Sequence, residues 1–235
     1  MLKAFLTTHS TEPPSISVFI YFLMMAALIG SIYASVKWHN RPYFVRLFKG
    51  IQLLQLISLY LWYSVCLIPI SNSLPLYHCR LAMLAVLFLP DKTPAKQYFA
   101  LMGFSGAIFA LVYPVLDPYD SPHITGVSFI IGHYALLINS LNYLLNSYQK
   151  NQLSLSRITG YTFILNLLLV GVNHVTGGNY GILRHPPIID NSHIWLNYLA
   201  VSFVLSLALV LFAFYFNHRK PNKSAAYSGK QSISE

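Results

Sequence analysis

The run LPLYHCRLA, residues 74 to 82, sets a thiol between two basic side chains: His78, Cys79 and Arg80 follow one another. A basic group near a cysteine favours the thiolate, its nucleophilic form. A second imidazole, His133, lies in the run GHYALLINSLNYL. A cysteine activated by a histidine can carry an acyl group as a thioester. Near the C-terminal third, Asn173 and His174 precede the stretch TGGNYGILRHPP at 176–187, which holds Asn179, Tyr180, Arg184 and His185. Adjacent helical residues point about 100° apart, so neighbours in sequence need not touch. Other chemistry finds little support. No C-x-x-C or H-x-x-x-H spacing occurs, and no carboxylate falls inside an apolar run, so no metal is expected. A Walker loop, a dinucleotide fingerprint and G-x-S-x-G are absent from the sequence, and no cofactor is expected.

The elements that must position these residues are apolar. The chain is 55% hydrophobic and 9% charged, against about 25% charged in a soluble domain. Seven segments are long enough to be read as spans, near 15–36, 49–70, 75–90, 97–116, 125–147, 158–175 and 195–216. The expected fold is all-α and polytopic, with seven transmembrane helices. Residues 1–14 form a segment outside the membrane, 15–216 the membrane domain, and 217–235 a polar, basic tail expected to be disordered. Too long for a signal-peptide core, the first segment is read as a retained helix.

The net charge of +9 follows the topology rather than a nucleic-acid partner. Lys37, Arg41, Arg46, Lys49, Lys92, Lys96, Lys150, Arg157, Arg219, Lys220, Lys223 and Lys230 fall on one side of a seven-span chain. Lys3, Arg80 and Arg184 fall on the other. Basic loops stay cytoplasmic, which predicts an outside N-terminus and a cytoplasmic C-terminus. On a rise of 1.5 Å per residue, Cys79 and His133 then sit at one depth, roughly 12–13 Å below the outer surface. Cys66 counts to roughly 6 Å farther out than Cys79, which disfavours a disulfide. His78, Arg80, His133, Asn173 and His174 gather in the outer half, as the lining of a polar cavity would. The Asn139, Asn142, Asn146 stripe and the Gln52, Gln55, Leu59 stripe read as packing between helices, and Gly103 and Gly106 as points of close approach.

LPLYHCRLA, GHYALLINSLNYL and TGGNYGILRHPP, in this order, resemble the YwaF-like integral membrane family related to TMEM164. The resemblance covers roughly residues 15–216, and the GGNY turn is its most specific part. Many bacterial members place a histidine two residues before the cysteine. Tyr77 stands there in this chain and the histidine is at 78. The resemblance implies a phospholipid acyltransferase in the cell membrane of a bacterium, with Cys79 as nucleophile and His133 as base.

The expected function is therefore acyl transfer or lipid hydrolysis on outer-leaflet lipids, with a membrane lipid as the partner. Substrate-binding candidates are His78, Arg80, Asn173, His174, Asn179, Tyr180 and Arg184, with the two arginines on the lipid phosphate and an asparagine on the oxyanion. His174 and His185 are spare bases, and 176–187 would be a lid. Two alternatives stand beside it: a lipid or small-molecule transporter using the same cavity, and an envelope scaffold in which none of these residues does chemistry.

Overall fold

The computed structural model describes residues 2–186 and 193–219. Seven helices carry the architecture: α1 (Val18–Trp38), α2 (Pro42–Val65), α3 (His78–Phe88), α4 (Pro94–Val112), α5 (Ile124–Ser147), α6 (Leu155–Thr176) and α7 (Ile194–His218). No strand occurs among the described residues. Six of these helices are long and apolar enough to cross a membrane, and the shorter α3 is the exception. Single turns of helix at Leu2–Phe5 and Ile70–Ser73 and a 3-10 turn at Tyr180–Ile182 complete the set among the described residues.

Local chemistry fixes the boundaries. The hydroxyls of Ser17, Thr93 and Ser154 accept from the backbone N–H groups of Ile20, Lys96 and Arg157 and so cap α1, α4 and α6. Pro42 and Pro94 open α2 and α4, where a missing N–H costs nothing. Gly177, at φ 76°, ends α6 in the left-handed region. The third element was expected as a helix over 75–90 and is one over His78–Phe88 only. Pro90 explains the early end, since it pushes Leu89 out of the helical region, while the backbone before the helix stays out of that region as far as its N-cap Tyr77, at ψ 141°. Leu74 and Leu89 are accordingly extended, at ψ 148° and 147°.

The two central helices, α4 and α5, are the most buried of the six long ones. α1 and α2 pack on α5, α3 packs chiefly on α4, and α7 joins the α6–α7 pair to α4. The remaining faces are apolar and exposed, Phe19, Phe22, Phe203 and Phe214 among them, as expected of surfaces solvated by lipid.

Polar contacts gather the helix ends into two rims. At the N-terminal rim, Tyr21 Oη donates to the Val112 carbonyl at 2.9 Å and Trp62 Nε1 to that of Leu6 at 3.1 Å, while His123 Nε2 lies 3.0 Å from Thr7 O. At the opposite rim, Asn146 pairs with His39 and Gln97 with Gln149. Asn217 Oδ1 there accepts from Tyr148 and Asn151, and Lys96 bridges to Asp91 at 2.8 Å. The tail expected from 217 starts inside this rim, since α7 runs to His218. Residues 220–235 lie outside the described residues.

The tightest seam runs between α3, α4 and α5. A Cβ on Gly103 would stand 2.4 Å from Ser140 Oγ, 2.8 Å from Leu136 Cδ1 and 3.3 Å from Ala82 Cβ. Gly103→Leu is expected to overpack this seam and destabilise the bundle by about 1–3 kcal/mol. Gly30→Leu, at a position with open space around it, is the neutral control. Thermal unfolding of the purified variants in detergent measures the difference.

Candidate functional site

The first turn of α3 sends three consecutive side chains to three neighbours. His78 turns to α6, where its Nε2 lies 2.6 Å from Asn166 Oδ1, and Asn166 Nδ2 donates in turn to Ser202 Oγ at 2.9 Å. A Cβ on Gly181 would touch the same imidazole at 3.1 Å. Cys79 turns to α4, with its sulfur 3.1 Å from where a Gly106 Cβ would stand. Arg80 turns to α2, where Nη2 donates to the Tyr63 hydroxyl at 2.7 Å. The rings of Tyr60, Tyr63 and Tyr77 surround that guanidinium at 5.0–5.8 Å. Both cysteines are free thiols.

The register of the Gly103 seam brings Cys79 and His133 to one level. Ala82, Gly103 and Leu136 meet in a layer. One turn closer to the N-terminal rim on each helix stand Cys79, Gly106 and His133, each three residues from its layer partner. The Cys79 sulfur faces Gly106, and the shared register sets His133 at the same level. No hydrogen bond joins them. His133 instead uses Nδ1 on its own helix, 2.7 Å from the Phe129 carbonyl. A carbonyl only accepts, so the neutral ring carries its proton on Nδ1 and keeps the lone pair on Nε2. That is the tautomer of a general base.

The turn after α6 is a braced plug. Asn173 imitates a backbone strand: Nδ2 donates to the Tyr180 carbonyl at 2.8 Å, and Oδ1 accepts from the Tyr180 N–H at 2.7 Å. Tyr180 is fully buried. Its hydroxyl donates to the Ile70 carbonyl and accepts from the Leu74 N–H. Asn179 Oδ1 accepts from the Arg184 N–H at 2.8 Å, and Arg184 Nη1 donates to the Gly177 carbonyl at 2.9 Å. Asn173, Asn179 and Tyr180, expected to meet substrate, hold the turn together and tie it to the segment before α3. As for the expected lid, residues 176–186 are held shut by these bonds, and Pro187 lies outside the described residues. Beneath the turn, a cavity of about 650 Å³ opens between α6 and α7. Asn173, His174, Arg184, His185, Ile194 and Trp195 are among the residues that line it, and neither Cys79 nor His133 does.

Two features escaped the sequence reading. The tyrosine cage of Arg80 was signalled by Tyr60 and Tyr63, three apart on one face of α2. The His78–Asn166–Ser202 chain had no local signal, because its members come from three helices. Among the described residues, no three His, Cys, Asp or Glu side chains converge as metal ligands would.

A family model described as the TMEM164 family matches residues 5–219, which takes in all seven helices. The chain belongs to the TMEM164 family. No curated protein and no solved structure matches it. Within this TMEM164-family chain, the Asn173 clamp on Tyr180 is open to a direct test. Asn173→Ala leaves a buried N–H and carbonyl unpaired, and is expected to cost about 1–3 kcal/mol and to expose the turn to protease. His174→Ala, one residue on, should do neither. Thermal unfolding with limited proteolysis distinguishes them.

Proposed function

We propose that this chain is a multi-pass membrane enzyme of the YwaF-like type that transfers acyl groups between outer-leaflet lipids in a bacterial cell membrane. It crosses the bilayer seven times. The 11 residues of α3 rise roughly 16 Å. The four residues before it, 74–77, are non-helical and bent, and they carry the chain onward toward the N-terminal rim. Twelve basic side chains on one side put the N-terminal rim outside and the C-terminus in the cytoplasm.

The observation that carries the reading is the shared layer of Cys79, Gly106 and His133, with the lone pair of His133 Nε2 left free by the bond of Nδ1 to Phe129. In the reaction, His133 Nε2 takes the thiol proton and the sulfur attacks a lipid ester carbonyl. The ester C–O bond breaks, a thioester forms, and the proton passes to the departing lysolipid alkoxide. A second lipid alcohol, or water, then attacks the thioester, gives up its proton through His133, and returns the thiol. Catalytic contacts often tighten only around substrate, so the reading does not require a standing Cys79–His133 hydrogen bond. Gly106 supports this geometry by giving the sulfur room that any Cβ there would take.

Protein purified and offered an ester lipid should carry a hydroxylamine-sensitive acyl adduct, absent in Cys79→Ser. His133→Gln should form it about 10²–10⁴ times more slowly. An adduct that survives in Cys79→Ala, or lipid turnover unchanged in that variant, overturns the assignment. The cavity between α6 and α7 favours a second reading, lipid passage, in which His174→Ala and Arg184→Ala abolish flux and Cys79→Ser does not.

A further inference from the structure

Arg184 is held from three directions and keeps one edge uncommitted. Its N–H donates to Asn179 Oδ1 at 2.8 Å, its carbonyl accepts from Asn197 Nδ2 at 3.1 Å, and its Nη1 donates to the Gly177 carbonyl at 2.9 Å. The turn and α7 thus fix the residue against the cavity between α6 and α7, which it lines. Nε and Nη2 take no part in these bonds, and among the described residues no carboxylate pairs with the guanidinium. His174 and His185 are exposed imidazoles on the same cavity, and no acidic side chain lines it among the described residues. Ile194 and Trp195 belong to the first turn of α7, so the positive end of that helix dipole adds to the basic character of the wall. The remaining lining is apolar apart from Asn173, whose amide is spent on Tyr180. Along α6, Val170 and Gly171 lie one turn nearer the membrane centre than His174. A Cβ on Gly171 would meet nothing within 4 Å, so the glycine leaves open space there.

We propose that this cavity binds a single-chain carboxylate, a fatty-acid-like amphiphile, with its carboxylate on Arg184 and its chain along Val170, Gly171, Ile194 and Trp195. The edge formed by Nε and Nη2 presents two parallel N–H groups, the fork that fits both oxygens of one carboxylate. One guanidinium balances one negative charge, and each imidazole can add an N–H donor in either charge state. An arginine fixed before its ligand arrives loses little freedom on binding it. The volume of about 650 Å³ is that of a site for one drug-sized molecule, which suits one acyl chain rather than the two of a diacyl lipid. Neither Cys79 nor His133 lines the cavity, so the site is separate from the layer where an ester would react. Hydrolysis of a Cys79 thioester would release a ligand of this class. Water adds to the carbonyl, the C–S bond breaks, one water proton returns to the sulfur, and the other is released as the acid ionises. That link rests on the acyl-transfer reading; the carboxylate site does not.

Trp195 lines the cavity and is one of three tryptophans in the chain, so a bromine on the bound chain should quench it. The test uses the full chain in a neutral detergent, titrated with 11-bromoundecanoate and with the matched 11-bromoundecanol, and read by tryptophan fluorescence. The same titration of Trp195→Phe gives the quenching of Trp38 and Trp62 by probe dissolved in the micelle, which is subtracted. The carboxylate is expected to quench Trp195 saturably, and the alcohol to bind about 10-fold more weakly or less. Gly171→Leu puts a better helix former into open space. Its thermal unfolding without ligand should equal or exceed that of the wild type, while its affinity for the carboxylate falls about 10-fold. Arg184→Lys keeps the charge but loses the fork, and should weaken the carboxylate about 10-fold and leave the alcohol unchanged. Equal affinity for the alcohol overturns the proposal, as does affinity unchanged in Gly171→Leu or in a folded Arg184→Lys. Displacement of the probe by undecyl phosphate at lower concentration than by undecanoate also overturns it, since the cavity would then prefer a phosphate. Saturable carboxylate binding in a protein that forms no acyl adduct retains the site and removes the catalytic reading. A Cys79 adduct without saturable binding does the reverse.

Discussion

The closeness of α4 to its neighbours governs everything near the candidate site. At Gly103 there is no room for a methyl group, and at Gly106 the only neighbour of such a group would be the Cys79 sulfur. In lipid no hydrophobic drive holds helices together, so association depends on van der Waals contact and interhelical bonds, and small residues set how near the backbones come. The glycine face of α4 fixes its distance from α3 and α5, and with it the register that levels Cys79 with His133. A bulkier residue at either glycine would separate the helices or cover the thiol.

Polarity is distributed unevenly around this seam. Toward the N-terminal rim, the polar groups meet across different elements: His78 with Asn166, Arg80 with Tyr63, Asn173 with the Tyr180 backbone. Between α1, α2 and α5, amides dominate instead. Gln52, Gln55 and Ser128 form a bonded chain, Asn139 holds the Phe48 carbonyl, and Asn146 closes on His39. Such neutral groups join helices without the desolvation cost of a charge. Arg80 is the exception, a cation held within apolar surroundings, and its position next to Cys79 concentrates both unusual side chains in a single turn of the shortest of the seven helices.

The turn after α6 owes its rigidity to backbone mimicry. Gly177 and Gly181 supply positive φ angles of 76° and 67°, which most residues adopt only with strain. The Asn173 amide then pairs with Tyr180 as a strand partner would, and the tyrosine hydroxyl ties the assembly to the segment before α3. His78 abuts Gly181 from below, so the α3 turn and the plug support each other. The glycines and the asparagine of this stretch are conspicuous in the sequence and suggest an irregular backbone. Whether that backbone opens or stays shut depends on partners a hundred residues away.

Much of the fold was legible because the physics behind it is local. Runs of apolar residues, Ser and Thr caps, prolines at helix starts and the one-sided distribution of lysine and arginine each act within a few residues, so the sequence alone determined an all-helical membrane chain and where most helices begin. It also named Cys79 and His133 from residue type and depth. Pro90 was there to be read as the end of α3, but a hydropathy window passes over a proline that a backbone cannot. Only the tertiary structure decided the directions: that His78, Cys79 and Arg80 point to α6, α4 and α2, that Tyr180 faces inward, and that the α6–α7 cavity excludes the thiol. Those outcomes follow from the azimuth at which each helix packs, and azimuth is set by side chains on neighbouring helices rather than by the residue's own surroundings in the chain.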